Sequence, residues 1–77
     1  MHFGNRMRLH REKRGMTQDE LSRRLGVTPQ ALSHWEVGRC EPSLRKLVRL
    51  CVALGTTANE LLRDDFPPAF LQQEKKS

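Results

Sequence analysis

The sequence contains no tyrosine, one tryptophan and three phenylalanines in 77 residues. That is too few flat rings for a series of stacking platforms of the kind that grips unpaired bases, so Trp35 reads as core filler. Cysteine is scarce too. Cys40 and Cys51 form no C-x-x-C spacing and no disulfide framework. Cys51 reads as a small core residue and Cys40 as an exposed loop thiol. No apolar run approaches the roughly 18 residues that cross a bilayer. The opening Met-His-Phe-Gly-Asn-Arg lacks the apolar stretch of a signal peptide. The expectation is a cytoplasmic protein with reduced thiols and no membrane partner. Three histidines, His2, His10 and His34, have no carboxylate or cysteine at ligand spacing, so no metal is expected. No serine or cysteine has a base and an orienting partner at sensible spacing, so neither an enzyme nor a cofactor is implied.

What is abundant is positive charge. The net charge is +5 and the sequence pI about 10.0. Residues 1–39 carry eight Lys/Arg against four acids, and residues 40–77 six against five. A basic N-terminal half suits a polyanion, because Lys and Arg displace the counterions condensed on phosphates.

Apolar residues recur at helical period through most of the chain, and no stretch alternates at period 2. Caps and breakers divide the pattern into five helices. The first covers about Gly4 to Arg14, with Phe3, Met7 and His10 on one face, and ends at Gly15. The second opens on the capping box Thr17-Gln18-Asp19-Glu20, buries Leu21, Ser22 and Leu25, and stops at Gly26. The third has Thr28 as N-cap and Pro29 at its first position, buries Leu32 and Trp35, and runs to about Val37 before Gly38. Pro42 and Ser43 open the fourth, which buries Leu44, Leu47, Leu50, Cys51 and Leu54. A second capping box, Thr57-Ala58-Asn59-Glu60, opens a short fifth helix to about Arg63. Pro67-Pro68 forbids its continuation. The organisation is therefore one all-α domain over 1–63 and a short C-terminal extension over 64–77.

Only Gly26-Val27-Thr28 separates the second helix from the third. So short a link forces a steep crossing, as in a helix-turn-helix. The crossing requires a small residue under the third helix (Ser22), a glycine tolerant of positive φ (Gly26), and apolar side chains filling the angle (Val27, Leu32, Trp35). All five positions comply.

With those residues, Arg11 to Leu21, Leu25-Gly26-Val27-Thr28, and Leu32-Ser33-His34-Trp35-Glu36-Val37-Gly38-Arg39, the sequence resembles the lambda-repressor-like (XRE) family of phage Cro and repressor domains. The likeness continues through Pro42-Ser43-Leu44, Leu54-Gly55 and Glu60-Leu61-Leu62, covering about residues 4–63. It implies a five-helix lambda-repressor-like fold and a transcriptional regulator of repressor type, bound as a homodimer to a double-stranded DNA operator. The third helix would lie in the major groove, where each base pair shows its own donor and acceptor pattern. Pro29, Gln30, Ser33 and His34 then become the base-reading set, with Val37 at its edge. Gln30 is suited to adenine, His34 to guanine or a phosphate, and Pro29 to a thymine methyl; a plainly solvated Gln30 is the rival. Gln18 matches the family's glutamine at the start of the second helix. The helix starts at Thr17 and Gln18, at Thr28 and at Ser43 would bind phosphates, with Arg39 and Lys46 adding charge. Arg11 and Glu36 match a structural ion pair of the family.

Val48 and Val52 stand where the family usually shows a polar residue at one or both positions. With Phe66, Phe70 and Leu71 they form a candidate dimer interface. Two other readings of the tail stay open: it folds back on its own monomer, or it serves a protein partner, as in an antitoxin-type interaction module with secondary DNA binding.

Overall fold

The computed structural model describes residues 3–65 and is all-α. Five α-helices follow in order: α1 Phe3–Lys13, α2 Gln18–Leu25, α3 Pro29–Val37, α4 Leu44–Leu54 and α5 Ala58–Leu62. A single 3₁₀ turn, Arg63–Asp65, carries the chain on from α5.

The caps explain where each helix starts. Thr17, Thr28, Ser43 and Thr57 are N-caps in extended conformation, and each hydroxyl accepts from the amide three residues on. At Thr17 the box is reciprocal, since Glu20 Oε1 accepts from the Thr17 amide at 2.9 Å. That hydrogen bond, with the one to the Thr17 hydroxyl, holds the Glu20 carboxyl below its ordinary pKa. The second box expected at Thr57 differs. Its hydroxyl accepts from Glu60 N at 3.1 Å, but the Glu60 carboxylate is engaged by Arg6 of α1. A long-range partner has taken the acid that local spacing assigned to a cap.

One core unites the helices. Met7, Met16, Leu21, Leu25, Leu32, Trp35, Leu50, Leu54 and Leu61 are all buried, with Phe3, Val27, Leu47 and Cys51 packed against them. Burial pushes the Cys51 thiol pKa up, and Cys40 is exposed. Leu44 departs from expectation. It shares the helical spacing of the buried face but is 78 % exposed, whereas Leu47, in the same turn, packs against the core.

The corner between α2 and α3 is made by Gly26 at φ 71°. Its amide and that of Val27 return to the carbonyls of Arg23 and Ser22, ending α2 within one residue. A side chain at Gly26 would strain the backbone there. Ser22 is 1 % exposed directly under the crossing, and its hydroxyl donates to Asp19 O at 2.9 Å. No described helix is long and apolar enough to cross a membrane.

Candidate nucleic-acid interface

The corner leaves α3 buried along one side and open along the other. Leu32, Trp35 and Glu36 are buried; Pro29, Gln30 and Val37 are exposed; Ser33 and His34 are half-buried. Pro29 and Gln30 are thus exposed on the first turn of α3. Ser33 and His34 follow one turn later, nearer the body of the domain.

Three helix N-termini carry exposed caps. Thr17, Thr28 and Ser43 are exposed, and their hydroxyls take the amides of Glu20, Ala31 and Lys46 at 3.1, 3.1 and 3.3 Å. The first amides of each helix have no intrahelical acceptor and carry the positive end of the helix dipole, which suits an anion. At α2 the exposed acids Asp19 and Glu20 offset part of that charge. Arg39, in the turn after α3, is exposed; its amide closes the helix by donating to His34 O at 2.9 Å. Lys46, in the first turn of α4, is half-buried.

Behind α3 lies a buried polar knot. Arg11 Nε donates to Glu36 Oε2 at 2.7 Å and Arg11 Nη2 to Glu36 Oε1 at 3.2 Å. Arg11 Nη1 donates to Met16 O at 2.7 Å. The two charged side chains are 10 % and 3 % exposed. Gln18 completes the set, its Nε2 donating to Glu36 Oε1 at 3.0 Å. The end of α3 is thereby tied to α1, to the α1–α2 turn and to the start of α2. Among the described residues no buried side-chain nitrogen or oxygen lacks a hydrogen-bond partner. For Gln18 this adds a partner that sequence spacing does not reveal. A primary amide carries two N–H groups, so one remains after the Glu36 bond.

A second anchor on α3 escapes sequence reasoning altogether. Gly4 is buried, and a Cβ built there would lie under 3.0 Å from the carbonyl oxygens of Trp35 and Glu36. The first turn of α1 thus rests directly on the last turn of α3. The available signal was a glycine inside a helical pattern, which costs about 1 kcal/mol against alanine and so suggests close backbone approach.

The remaining expected site residues divide. Val48 and Val52 are 58 % and 78 % exposed on α4. Phe66, Phe70 and Leu71 lie outside the described residues, as does His2. No group of three His, Cys, Asp or Glu among the described residues is placed to hold a metal ion.

Residues 7–61 match the model of a family described as helix-turn-helix. A prophage-derived HTH-type transcriptional regulator of Bacillus subtilis, YonR, is 34 % identical over 61 residues, 79 % of this chain and 56 % of the relative, so the chain spans little more than half of that protein. An HTH-type transcriptional regulator of Methanothermobacter thermautotrophicus is 47 % identical over 49 residues, 64 % of this chain and 71 % of the relative. Among solved structures, the P22 c2 repressor in complex with a synthetic operator superposes with a TM-score of 0.78 at 34 % identity, covering 80 % of this chain and 94 % of that one.

Proposed function

The chain belongs to the helix-turn-helix family, and we propose that it is a sequence-specific transcriptional repressor that reads operator DNA with α3. The single observation that carries this reading is the division of α3 into a buried side, fixed by Leu32, Trp35 and Glu36, and an open first turn bearing Pro29 and Gln30. A rod so held enters the major groove with its N-terminal residues toward the base edges. Gln30 grips adenine through N6 and N7, Ser33 and His34 reach the neighbouring pairs, and Pro29 meets a thymine methyl. The starts of α2, α3 and α4, at Thr17, Gln18, Thr28 and Ser43, clamp the phosphates, helped by Arg39 and Lys46. These contacts set register and carry no sequence information. The P22 c2 repressor, whose structure holds a synthetic operator, supports operator DNA as the partner. Nothing in this reading calls for catalysis, and the protein acts by binding alone.

Selection of bound duplexes from a random pool at two salt concentrations tests the reading; no enriched sequence at moderate ionic strength overturns it. Two substitutions separate reading from clamping. Gln30→Ala loses roughly 1–3 kcal/mol of discrimination at one base pair and leaves random-duplex affinity unchanged. Arg39→Ala weakens every duplex alike and lowers the slope of log K against log salt by about one. Competition titrations on cognate and random duplexes distinguish the two patterns.

A two-fold operator is met by two copies. Leu44, Val48 and Val52 stand at four-residue spacing on α4, exposed by 78, 58 and 78 %, and form the self-complementary strip for that pairing. Arg45 and Arg49 stand on the same helix, which bears no carboxylate. Like charges meet when two copies pair, so added salt strengthens self-association while it weakens DNA binding. Sedimentation across a salt series checks this. A monomer at every salt concentration, at high protein concentration, removes the dimer.

A further inference from the structure

A groove of about 660 Å³ opens beside the C-terminal end of α3. Its walls come from the first turn of α1, the end of α3, the α3–α4 loop, α4, α5 and the 3₁₀ turn. Phe3, Trp35, Pro42, Leu47 and Leu62 make it largely apolar, and none of Pro29, Gln30, Ser33 or His34 lines it. A hollow of this size and composition is in the range that takes a small-molecule ligand or a few apolar side chains.

The chain itself supplies such side chains. Asp65, the last described residue, is part of the groove wall, and the sequence continues directly as Phe66-Pro67-Pro68-Ala69-Phe70-Leu71. Six extended residues reach about 20 Å, starting from the groove's own wall. Pro67 and Pro68 have no amide hydrogens to leave unpaired on an apolar surface. Beyond them come Lys75 and Lys76, opposite in charge to the lining residues Glu41 and Asp65. A segment tethered to the wall of its own site acts at an effective concentration of about millimolar, which outcompetes a separate chain at micromolar concentration.

We propose that residues 66–71 seat in this groove within the same chain, with Phe66, Phe70 and Leu71 covering Trp35 and the end of α3. The tail then braces α3 from behind. It is an internal strap and leaves self-association to α4. This inference is independent of the DNA reading, and its test uses no DNA.

Trp35 is the only tryptophan, and both it and the exposed Cys40 line the groove, so the groove carries two reporters. In the full-length chain, Phe66→Ser/Phe70→Ser/Leu71→Ser should shift Trp35 emission to the red and speed modification of Cys40 by a soluble maleimide severalfold. Cys51, identified separately by peptide mass, serves as the internal control and should react at an unchanged rate. Phe66→Ser and Phe70→Ser alone should each give part of the effect. In the unsubstituted protein the slow Cys40 rate should persist through about a hundredfold dilution, since an intramolecular contact does not obey mass action. Identical emission and identical Cys40 rates in the triple variant would overturn the proposal. So would protection that vanishes on dilution, which would give the groove to the tail of a second copy.

Discussion

Arg11→Ala should lower the melting temperature by about 15 °C or more and leave little folded protein at physiological temperature. The guanidinium makes three buried hydrogen bonds, two to the Glu36 carboxylate and one to Met16 O. Removing it leaves a carboxylate that is 3 % exposed without its countercharge, held by the neutral Gln18 amide. Breaking one partner of a buried pair costs roughly 3–5 kcal/mol. At about 4–8 °C per kcal/mol for a domain of this size, the shift follows. A 77-residue chain has little stability to spare. Arg11→Met/Glu36→Leu should recover part of the loss, because an apolar pair of similar volume strands no charge. Recovery stays incomplete, since Met16 O and Gln18 Nε2 both lose their partners. Thermal unfolding followed by circular dichroism reads both variants. A single variant that melts within a few degrees of the parent would mean the knot contributes little.

Gly4→Ala should be the second most damaging change, although it adds one methyl group and favours helix. The new Cβ would lie under 3.0 Å from two backbone carbonyl oxygens of α3, whereas ordinary contact begins near 3.4 Å. Backbone cannot rotate aside as a flexible side chain does, so α1 and α3 must separate. Overpacking of this kind costs about 1–3 kcal/mol, against at most about 1 kcal/mol gained from helix propensity. The clash wins. Because the displaced segment is the end of α3, operator affinity should fall further than random-duplex affinity at a temperature where the variant is folded. Asn5→Ala, at the exposed neighbouring position, should change neither. Equal melting temperatures for Gly4→Ala and the parent would refute the close approach.

Much of this architecture is legible in local chemistry. Thr17, Thr28 and Ser43 announce helix starts because a hydroxyl at that position satisfies an amide the helix cannot. Gly26 and Gly38 announce ends because the left-handed turn there costs glycine nothing. What stays hidden depends on partners far along the chain. Glu60 has perfect spacing for a capping box, yet its carboxylate is drawn to Arg6, 54 residues away. Leu44 has the spacing of a core residue, yet it is 78 % exposed while Leu47, in the same turn, packs on the core. Gln18 can be matched to a phosphate contact by resemblance, but its bond to Glu36 needs α2 and α3 in register. Gly4 is the hardest case, because a missing side chain leaves no trace of what it makes room for.

The way α3 is held has a consequence for how such proteins diversify. The buried restraint on α3 acts on Leu32, Trp35, Glu36 and the backbone beside Gly4, while Pro29 and Gln30 are exposed. On the proposed reading, changes at those two positions sample new operator preferences while the packed side of α3 stays as it is. The domain behaves as a fixed handle with an interchangeable bit. A library randomised at Pro29 and Gln30 should yield members that melt together and bind apart.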